Sequence, residues 1–288
     1  MTLLYRQHGL QFPLDTVQII SWLLFAFFSV GFYFLLLPFL PHLVYDFVVI
    51  PYSVFLLFGI ALKILCSYID PKDPNVEYDK ISKASKSLPP GFRVIDEHRY
   101  CCICKTFVTD KAKHCKLCNK CVEHFDHHCK YINNCVSKTR NYKPFFCLVI
   151  IMSVLSLSVA IGTCFIVFLI LVGPLRPMFK VVSLRWLRII GLSLLGVLSI
   201  PVSYLIIQLL VFHIGLVRNK ITTYDFIVRS RKRRDPIPKK VIEQEGEEKT
   251  TEILLRRPTL DNNSAGSSTE KETSLCTPSC IIKPTKLD

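Results

Sequence analysis

Residues 101–135 read CCICKTFVTDKAKHCKLCNKCVEHFDHHCKYINNC, with cysteines and histidines at the short intervals that tetrahedral zinc sites use. The pattern predicts eight zinc ligands, which are Cys101, Cys104, His114, Cys115, Cys118, Cys121, His128 and Cys135. Eight ligands are enough for two four-coordinate ions, and a zinc ion with four protein ligands is a closed, structural site. We therefore expect this stretch to fold as a two-zinc module.

Two cysteines of the stretch are left over. Cys102 is expected to be a packed spare thiol, because its use as a ligand would break the Cys101-x2-Cys104 spacing, and Cys129 ends the string Asp126-His127-His128-Cys129. A thiol is a good nucleophile only as the thiolate, and His127 is close enough in sequence to act as its base. Asp126 is placed to orient the imidazole, as the third member of a catalytic triad does. Alternation along an extended strand puts His127 and Cys129 on one face and His128 on the metal face. Strict alternation also puts Asp126 on the metal face, so a local distortion is required for it to reach His127.

These residues together resemble the cysteine-rich domain of the DHHC protein S-acyltransferases, integral-membrane enzymes that palmitoylate cysteines. The resemblance implies that one zinc ion is bound by Cys101, Cys104, His114 and Cys121, and the other by Cys115, Cys118, His128 and Cys135. It also implies that the acyl group is carried by Cys129, with His127 as the base and Asp126 as its orienting partner.

The resemblance continues outside the cysteine block and covers roughly residues 10–230, closest to the animal type 1 and type 11 branch. Asp70-Pro71-Lys72 is similar to the family's Asp-Pro-Gly, and Thr222-Thr223-Tyr224-Asp225 is similar to its Thr-Thr-x-Glu, with Asp225 in place of Glu. Thr222 and Asp225 also fit an imperfect helix capping box. The resemblance suggests instead that a threonine hydroxyl supports Asp126, and the sequence leaves both interpretations open.

Four uncharged runs, at residues 16–45, 47–62, 144–175 and 189–217, predict membrane-spanning helices, since a helix of about 20 apolar residues crosses the hydrocarbon core. The second run is long enough only if it continues to Ile69, with Lys63 either snorkelling to the interface or facing the bundle interior. The mean hydropathy of +0.36 over 288 residues agrees with a membrane protein. We expect the boundaries to be as follows: a cytosolic N-terminus at 1–16, spans at 17–41 and 45–69, the zinc module at 70–143, spans at 145–173 and 189–214, a lumenal loop at 174–188, and a cytosolic tail at 218–288.

The distribution of basic residues orients the spans, because cytosolic loops are enriched in Lys and Arg. Residues 70–144 and 218–288 together contain 30 of the 36 Lys and Arg residues, so we expect the module and both termini to face the cytosol. A reducing compartment also suits zinc thiolates and a free nucleophile. One observation opposes this orientation: the loop between the last two spans contains Arg176, Lys180, Arg185 and Arg188 and no acidic residue.

The predicted fold class is thus an all-α membrane protein, with four transmembrane helices and a cytosolic two-zinc cysteine-rich domain between helices 2 and 3. The predicted function is protein-cysteine S-palmitoylation in two steps through acyl-Cys129, with two structural Zn²⁺ ions and acyl-CoA as a substrate. Candidates to contact the CoA phosphates are Lys130, Lys138, Arg140 and Lys143. The alternatives are a catalytically idle zinc-containing membrane adaptor and, less favoured, a cation transporter, which the scarcity of ionisable residues in the spans opposes.

Further expectations concern partners and packing. The partners are cysteine-containing membrane-proximal proteins, acyl-CoA and anionic lipids, with no nucleic acid, and the location is the endomembrane system, such as the ER, Golgi or endosomes. The basic cluster Arg229, Arg231, Lys232, Arg233 and Arg234 is typical of a headgroup contact. Small residues on spans three and four favour close helix packing over a slot for an acyl chain. Beyond about residue 239 the composition predicts disorder, and the role of Cys276 and Cys280 there is open.

Overall fold

The computed structural model describes residues 5–40, 42–77, 95–172 and 182–234. The helices in this part of the chain are α1 (Thr16–Gly31), α2 (His42–Tyr68), α3 (Tyr142–Val172), α4 (Val182–Arg218) and α5 (Thr223–Arg234). A π-helical turn, Phe32–Leu36, and a 3₁₀ turn, Leu37–Phe39, extend α1. Candidate membrane spans of 24 to 32 residues run along α1 with its extension, α2, α3 and α4, and each exceeds the roughly 20 residues that a bilayer requires.

Helix α3 lies at the centre of the bundle, with half of its most apolar window buried against 22% in each of the other three spans. It packs mainly against α4 and α2. Between α3 and α4 the small residues lie at the interface: a Cβ added at Gly196 would come within 3.0 Å of the Thr163 side chain. The buried hydroxyls of Ser153 and Thr163 donate to carbonyls of their own helix, so close packing explains these residues.

The zinc module consists of three antiparallel two-stranded hairpins. Their strands are β1 (Tyr100–Cys101) with β2 (Thr106–Phe107), β3 (Lys113–Cys115) with β4 (Lys120–Val122), and β5 (Phe125–Cys129) with β6 (Asn134–Ser137). Lys105 and Asn119, which directly follow the second cysteine of each Cys-x2-Cys pair, have φ values of 51° and 50°. This left-handed conformation lets the chain reverse tightly around the cysteine sulfurs.

An N-terminal segment, residues 5–15, lies across the module before α1 begins. The backbone N–H of Arg6 donates to the carbonyl of Cys118 at 2.8 Å, and the buried Lys120 ammonium donates to the carbonyl of Gln7 at 2.8 Å and to Asp70 at 2.5 Å. Asp15 caps α1 by accepting from the backbone N–H of Val17. The segment therefore joins the module to the start of α1 and the end of α2.

The predicted fold class is confirmed: the described residues are mostly helical and include four candidate membrane spans, with a module of two Cys/His clusters between α2 and α3. The six short strands all lie inside the module. Helix α4 begins at Val182, so residues 182–188 are helical where the sequence predicted a loop. Residues 173–181 of that loop and the tail from 235 lie outside the described residues, and the cytosolic side of the module and termini stays a prediction.

Candidate active site and metal centres

The eight predicted ligands form two clusters, each of three cysteines and one histidine. The members are Cys101, Cys104, His114 and Cys121 in one cluster, and Cys115, Cys118, His128 and Cys135 in the other. Within each cluster all ligand atoms lie within 4.8 Å of one another. Both histidines present Nδ1, at 3.5–3.7 Å from the sulfurs in the first cluster and 3.3–3.7 Å in the second.

These separations fit zinc. A tetrahedron with Zn–S of about 2.3 Å and Zn–N of about 2.0–2.1 Å places sulfur and nitrogen roughly 3.6 Å apart. The cysteine ligands are buried, and four protein ligands leave no coordination position for a substrate. The two clusters therefore suit two structural zinc ions that fix the shape of the module. Cys102 belongs to neither cluster and packs beside the first one.

Strand β5 carries the Asp126-His127-His128-Cys129 string and pairs with β6. The register is regular from His127 to Cys129 but shifts between Phe125 and His127, so Asp126 is an extra residue opposite β6. Such a β-bulge turns the affected side chain out of strict alternation. It is the local distortion that the sequence required, and it brings Asp126 to the side of His127 while His128 joins the second metal cluster.

The three candidate catalytic residues lie together on β5. Nδ1 of His127 lies 2.7 Å from Oδ2 of Asp126, and Cys129 is two residues further along the same strand. Asp126 is buried, Cys129 is buried in the main apolar core, and the His127 side chain is 22% exposed. The arrangement places a thiol, a base and an orienting carboxylate in the order that nucleophilic catalysis requires.

The electrostatics of the site favour a charged imidazole. Burial disfavours the imidazolium, but hydrogen bonds to Asp126 and Cys129 outweigh it and raise the pKa of His127 to about 9. Burial likewise opposes ionisation of Asp126, yet hydrogen bonds from His127 and Thr223 lower the pKa of this carboxyl below its ordinary value. The imidazolium form of His127 is therefore favoured beside an ionised Asp126.

The two threonines after α4 divide the two roles that the sequence left open. The hydroxyl of Thr222 accepts from the backbone N–H of Asp225 at 3.0 Å, and the Asp225 carboxylate accepts from the N–H of Thr222 at 3.3 Å. This reciprocal pair is a capping box for α5 with Asp in the place of Glu. Thr223 donates to Asp126 from its hydroxyl at 2.7 Å and from its N–H at 3.1 Å. Thr222 thus caps the helix and Thr223 holds the carboxylate.

Two residues that the motif pattern did not indicate line the imidazole of His127. Phe145 of α3 contacts it edge to face at 5.3 Å between ring centroids, and the His213 ring of α4 lies 5.8 Å away. His213 is buried, with Nδ1 3.2 Å from the hydroxyl of Tyr142. A histidine inside an otherwise apolar span was the signal that could have identified His213, because such residues are rare in membranes.

The four candidate CoA contacts lie on one continuous stretch after Cys129 but differ in availability. Lys130 and Lys143 are exposed. Arg140 is 47% exposed on its side chain and pairs with Glu123 at 2.8 Å, and the Lys138 ammonium lies 3.8 Å above the Tyr142 ring. Lys130 and Lys143 are therefore the more available pair for a phosphate.

An apolar cavity of about 240 Å³ opens between α1 with its extension, α2 and α3. Its lining includes Phe32, Leu36, Tyr52, Phe55 and Phe165. Several of these residues belong to the same buried cluster as Cys129, so apolar packing is continuous from the thiol to the cavity. Among the α4 residues whose side chains the structure describes, none lines this cavity, which agrees with close α3–α4 packing.

The family profile described as DHHC palmitoyltransferase matches residues 94–230. The Mus musculus protein Palmitoyltransferase ZDHHC11 is 34% identical over 254 residues, which are 79% of this chain and 72% of that protein. The Homo sapiens protein of the same name is 33% identical over 258 residues, which are 79% of this chain and 60% of that protein. The profile match includes both metal clusters, the Asp126–Cys129 string and the two threonines.

Proposed function

Since the chain belongs to the DHHC palmitoyltransferase family and is a multi-pass membrane protein S-acyltransferase, we propose that Cys129 carries the acyl group from acyl-CoA to substrate cysteines. The observation that supports this proposal most is the Asp126–His127 hydrogen bond on the same strand as Cys129, while His128 of that strand belongs to a metal cluster. Cys129 is therefore the cysteine of the β5–β6 hairpin that has a base on its own strand and is not a zinc ligand.

In the first step His127 takes the proton of Cys129, and the thiolate sulfur forms a bond to the thioester carbonyl carbon of acyl-CoA. The carbon–sulfur bond to CoA then breaks. The CoA sulfur leaves with the electron pair and receives the proton from His127. Asp126, held by Thr223, keeps Nδ1 of His127 occupied, so that the other ring nitrogen serves Cys129.

In the second step His127 takes the proton from the thiol of a substrate cysteine, whose sulfur attacks the acyl-Cys129 carbonyl. The bond to Cys129 breaks, and its sulfur recovers the proton. The same base therefore serves both half-reactions, and the enzyme returns to its starting state.

The acyl chain would occupy the apolar cavity between α1, α2 and α3, since the apolar cluster that contains Cys129 extends to its lining. Lys130 and Lys143, with Lys138 and Arg140, would meet the CoA phosphates at the membrane surface. When bound, the two zinc ions supply a rigid module and no chemistry.

We also propose that the module, both termini and α5 face the cytosol of an endomembrane compartment. Helix α5 has exposed Phe226 and Ile227 and ends in the exposed basic cluster at 229–234. Apolar side chains beside such a cluster favour binding at an anionic lipid surface. The substrate proteins would then be those that expose a cysteine close to the same surface.

The deciding experiment is incubation of the purified protein with palmitoyl-CoA that carries a labelled acyl chain. We expect a label on Cys129 that neutral hydroxylamine removes, because hydroxylamine cleaves thioesters. Cys129→Ser should contain both zinc ions and remain unlabelled, since a serine hydroxyl is far less ionised than a thiol. A thioester-linked label that persists in Cys129→Ser would refute the assignment of the acyl carrier. A wild-type protein that takes no label would support the adaptor instead.

A further inference from the structure

One charged side chain inside the membrane bundle is not used by the mechanism above. Lys63 lies in α2, five residues before the helix ends, and is 5% exposed. The sequence left two interpretations for it, snorkelling to the interface or facing the bundle interior. The structure places it in the interior, against α1.

The contacts of Lys63 are those of a cation without an anion. Its ammonium donates to the hydroxyl of Ser21 at 2.8 Å and lies 4.5 Å from the centre of the Trp22 ring. In the part of the chain that the structure describes, no carboxylate lies within ion-pair distance of it. The side-chain oxygen of Gln18, one turn before Ser21, is also buried without a hydrogen-bond donor.

This polar cluster lies directly beside the catalytic hairpin. The Ser21 hydroxyl is 3.4 Å from the carbonyl oxygen of Tyr131, which is in the turn that follows Cys129. Cys66, one turn after Lys63 on the same face of α2, belongs to the same buried cluster as Cys129.

A buried ammonium without a counter-ion is costly, and charged residues inside membrane spans usually have a functional partner. The acyl transfer supplies a negatively charged partner for Lys63. In the first step, negative charge passes from Sγ of Cys129 to the carbonyl oxygen of the tetrahedral adduct and then to the leaving CoA sulfur. In the low dielectric of the bundle, a fixed positive charge stabilises this negative charge more strongly than water does.

We propose that Lys63 is the countercharge of the reaction, with an ammonium group that stabilises the negative charge developing at Cys129 during both acyl transfers. The proposal rests on Cys129 as the acyl carrier. Ser21 and Trp22 hold the ammonium in place, and the turn at Tyr131 connects it to the hairpin.

The test is Lys63→Met, which keeps the length of the side chain and removes its charge. Single-turnover acylation of the purified enzyme by palmitoyl-CoA should slow by about 10- to 100-fold at saturating substrate, somewhat less than the loss of a donor that touches an oxyanion. The KM for palmitoyl-CoA should stay within about twofold, because the charge acts on the transition state. Lys63→Arg should recover most of the rate, and Lys105→Met, at an exposed position of the module, should match the wild type.

The thermal stability of Lys63→Met distinguishes a role of Lys63 as the countercharge from a role in packing. Removal of an unpaired buried charge should leave the thermal midpoint of Lys63→Met equal to or above that of the wild type, with two zinc ions bound. A fall in the midpoint in parallel with the rate would assign Lys63 to packing and overturn the proposal. An unchanged rate would also overturn it, as would a raised KM at constant kcat, which would assign Lys63 to a phosphate of CoA or of a lipid. Wild-type protein without a label on Cys129 would instead contradict the proposed function itself.

Discussion

His127 and His128 are adjacent in the chain but belong to different parts of the site. His127 hydrogen-bonds Asp126, whereas Nδ1 of His128 lies among the sulfurs of Cys115, Cys118 and Cys135. The separation follows from the strand geometry of β5, in which successive side chains alternate between faces.

Substitution of each histidine should therefore have a different consequence. His127→Ala should contain two zinc ions and lose most of the acylation rate, by about 10²- to 10⁴-fold, since general base catalysis contributes on that order. His128→Ala should contain one zinc ion, because three remaining ligands no longer close the site, and its module should unfold in part. Metal analysis of both purified variants is the measurement. Equal loss of zinc in the two would contradict the division of tasks.

Thr223 and Thr222 offer a matched pair of substitutions. Thr223→Ala removes a hydrogen bond to the Asp126 carboxylate. A hydrogen bond to a charged group contributes about 1.5–3 kcal/mol of stabilisation. We expect kcat to fall about tenfold or more, with zinc content and KM unchanged. Thr222→Ala removes the cap of α5, which costs about 1 kcal/mol of helix stability, and should leave acylation close to the wild-type rate. If Thr222→Ala lost more activity than Thr223→Ala, the assignment of the two threonines would be reversed.

The residue pattern predicted which residues form the two metal clusters, but it did not predict the geometry of β5. Spacing alone identified the eight ligands that form the two clusters, because chelating cysteines must lie a few residues apart. The alternation argument required a distortion near Asp126 but did not predict a bulge there. The bulge depends on how β5 pairs with β6, and that register is set by the turn between the two strands. Lys63 and His213 were visible only as polar residues in apolar runs, and their partners come from distant segments.

No motif in the N-terminal segment predicts a connection with catalysis. Gly9 is buried at a junction: its N–H donates to the carbonyl of Ser67 at 2.6 Å, and its carbonyl accepts from Gln18 at 3.1 Å and Asn133 at 3.3 Å. These partners are the end of α2, the start of α1 and the turn after Cys129. A Cβ at this position would lie 2.0 Å from the backbone oxygen of Ile132, so the turn or the segment must move.

Gly9→Ala should consequently impair acylation although residue 9 touches neither the acyl carrier nor its base. A displacement of about 1 Å at a reacting group lowers rates by roughly 10²-fold, and we expect kcat to fall by tenfold or more with two zinc ions still bound. Gly215→Ala is the control, because a Cβ there meets no atom within 4 Å. Comparison of the two single-turnover rates measures the effect. A rate for Gly9→Ala equal to that of Gly215→Ala would show that the segment does not position the hairpin.

The helices were predictable to the extent that hydropathy marks them. Uncharged runs located α1 to α4, because about 20 apolar residues are needed in each span. Helix α4 begins at Val182, ahead of the predicted span at 189–214, since Arg185 and Arg188 interrupt the apolar run but do not interrupt a helix. Arginine is a good helix former, whereas glycine and proline end helices. The charged residues therefore mark where the apolar run begins, but they do not mark the first residue of α4.

The distribution of charge over the chain predicts the orientation of the four candidate spans. Thirty of the 36 Lys and Arg residues lie in 70–144 and 218–288, and an even number of spans places these segments on one side. The opposing observation is weaker in the structure than in the sequence. Arg185 and Arg188 are on α4, and long basic side chains near a helix end can reach the interface along the helix.

The chain contains a natural reporter of this topology in Asn262-Asn263-Ser264, an acceptor sequence for N-glycosylation in the tail. If the tail faces the cytosol, Asn262 should remain unmodified in cells, because glycan transfer occurs in the lumen. A second acceptor, inserted with a flexible spacer between residues 174 and 181, should be glycosylated and should shift the mobility of the protein until a glycosidase removes the sugar. Asn262→Gln controls for any modification of the tail itself. A glycan on Asn262 would reverse the orientation, as would an unmodified inserted acceptor together with a glycan on an acceptor engineered into the module. The reversed orientation would place Cys129 and both metal clusters in an oxidising compartment, where disulfides would compete with zinc binding.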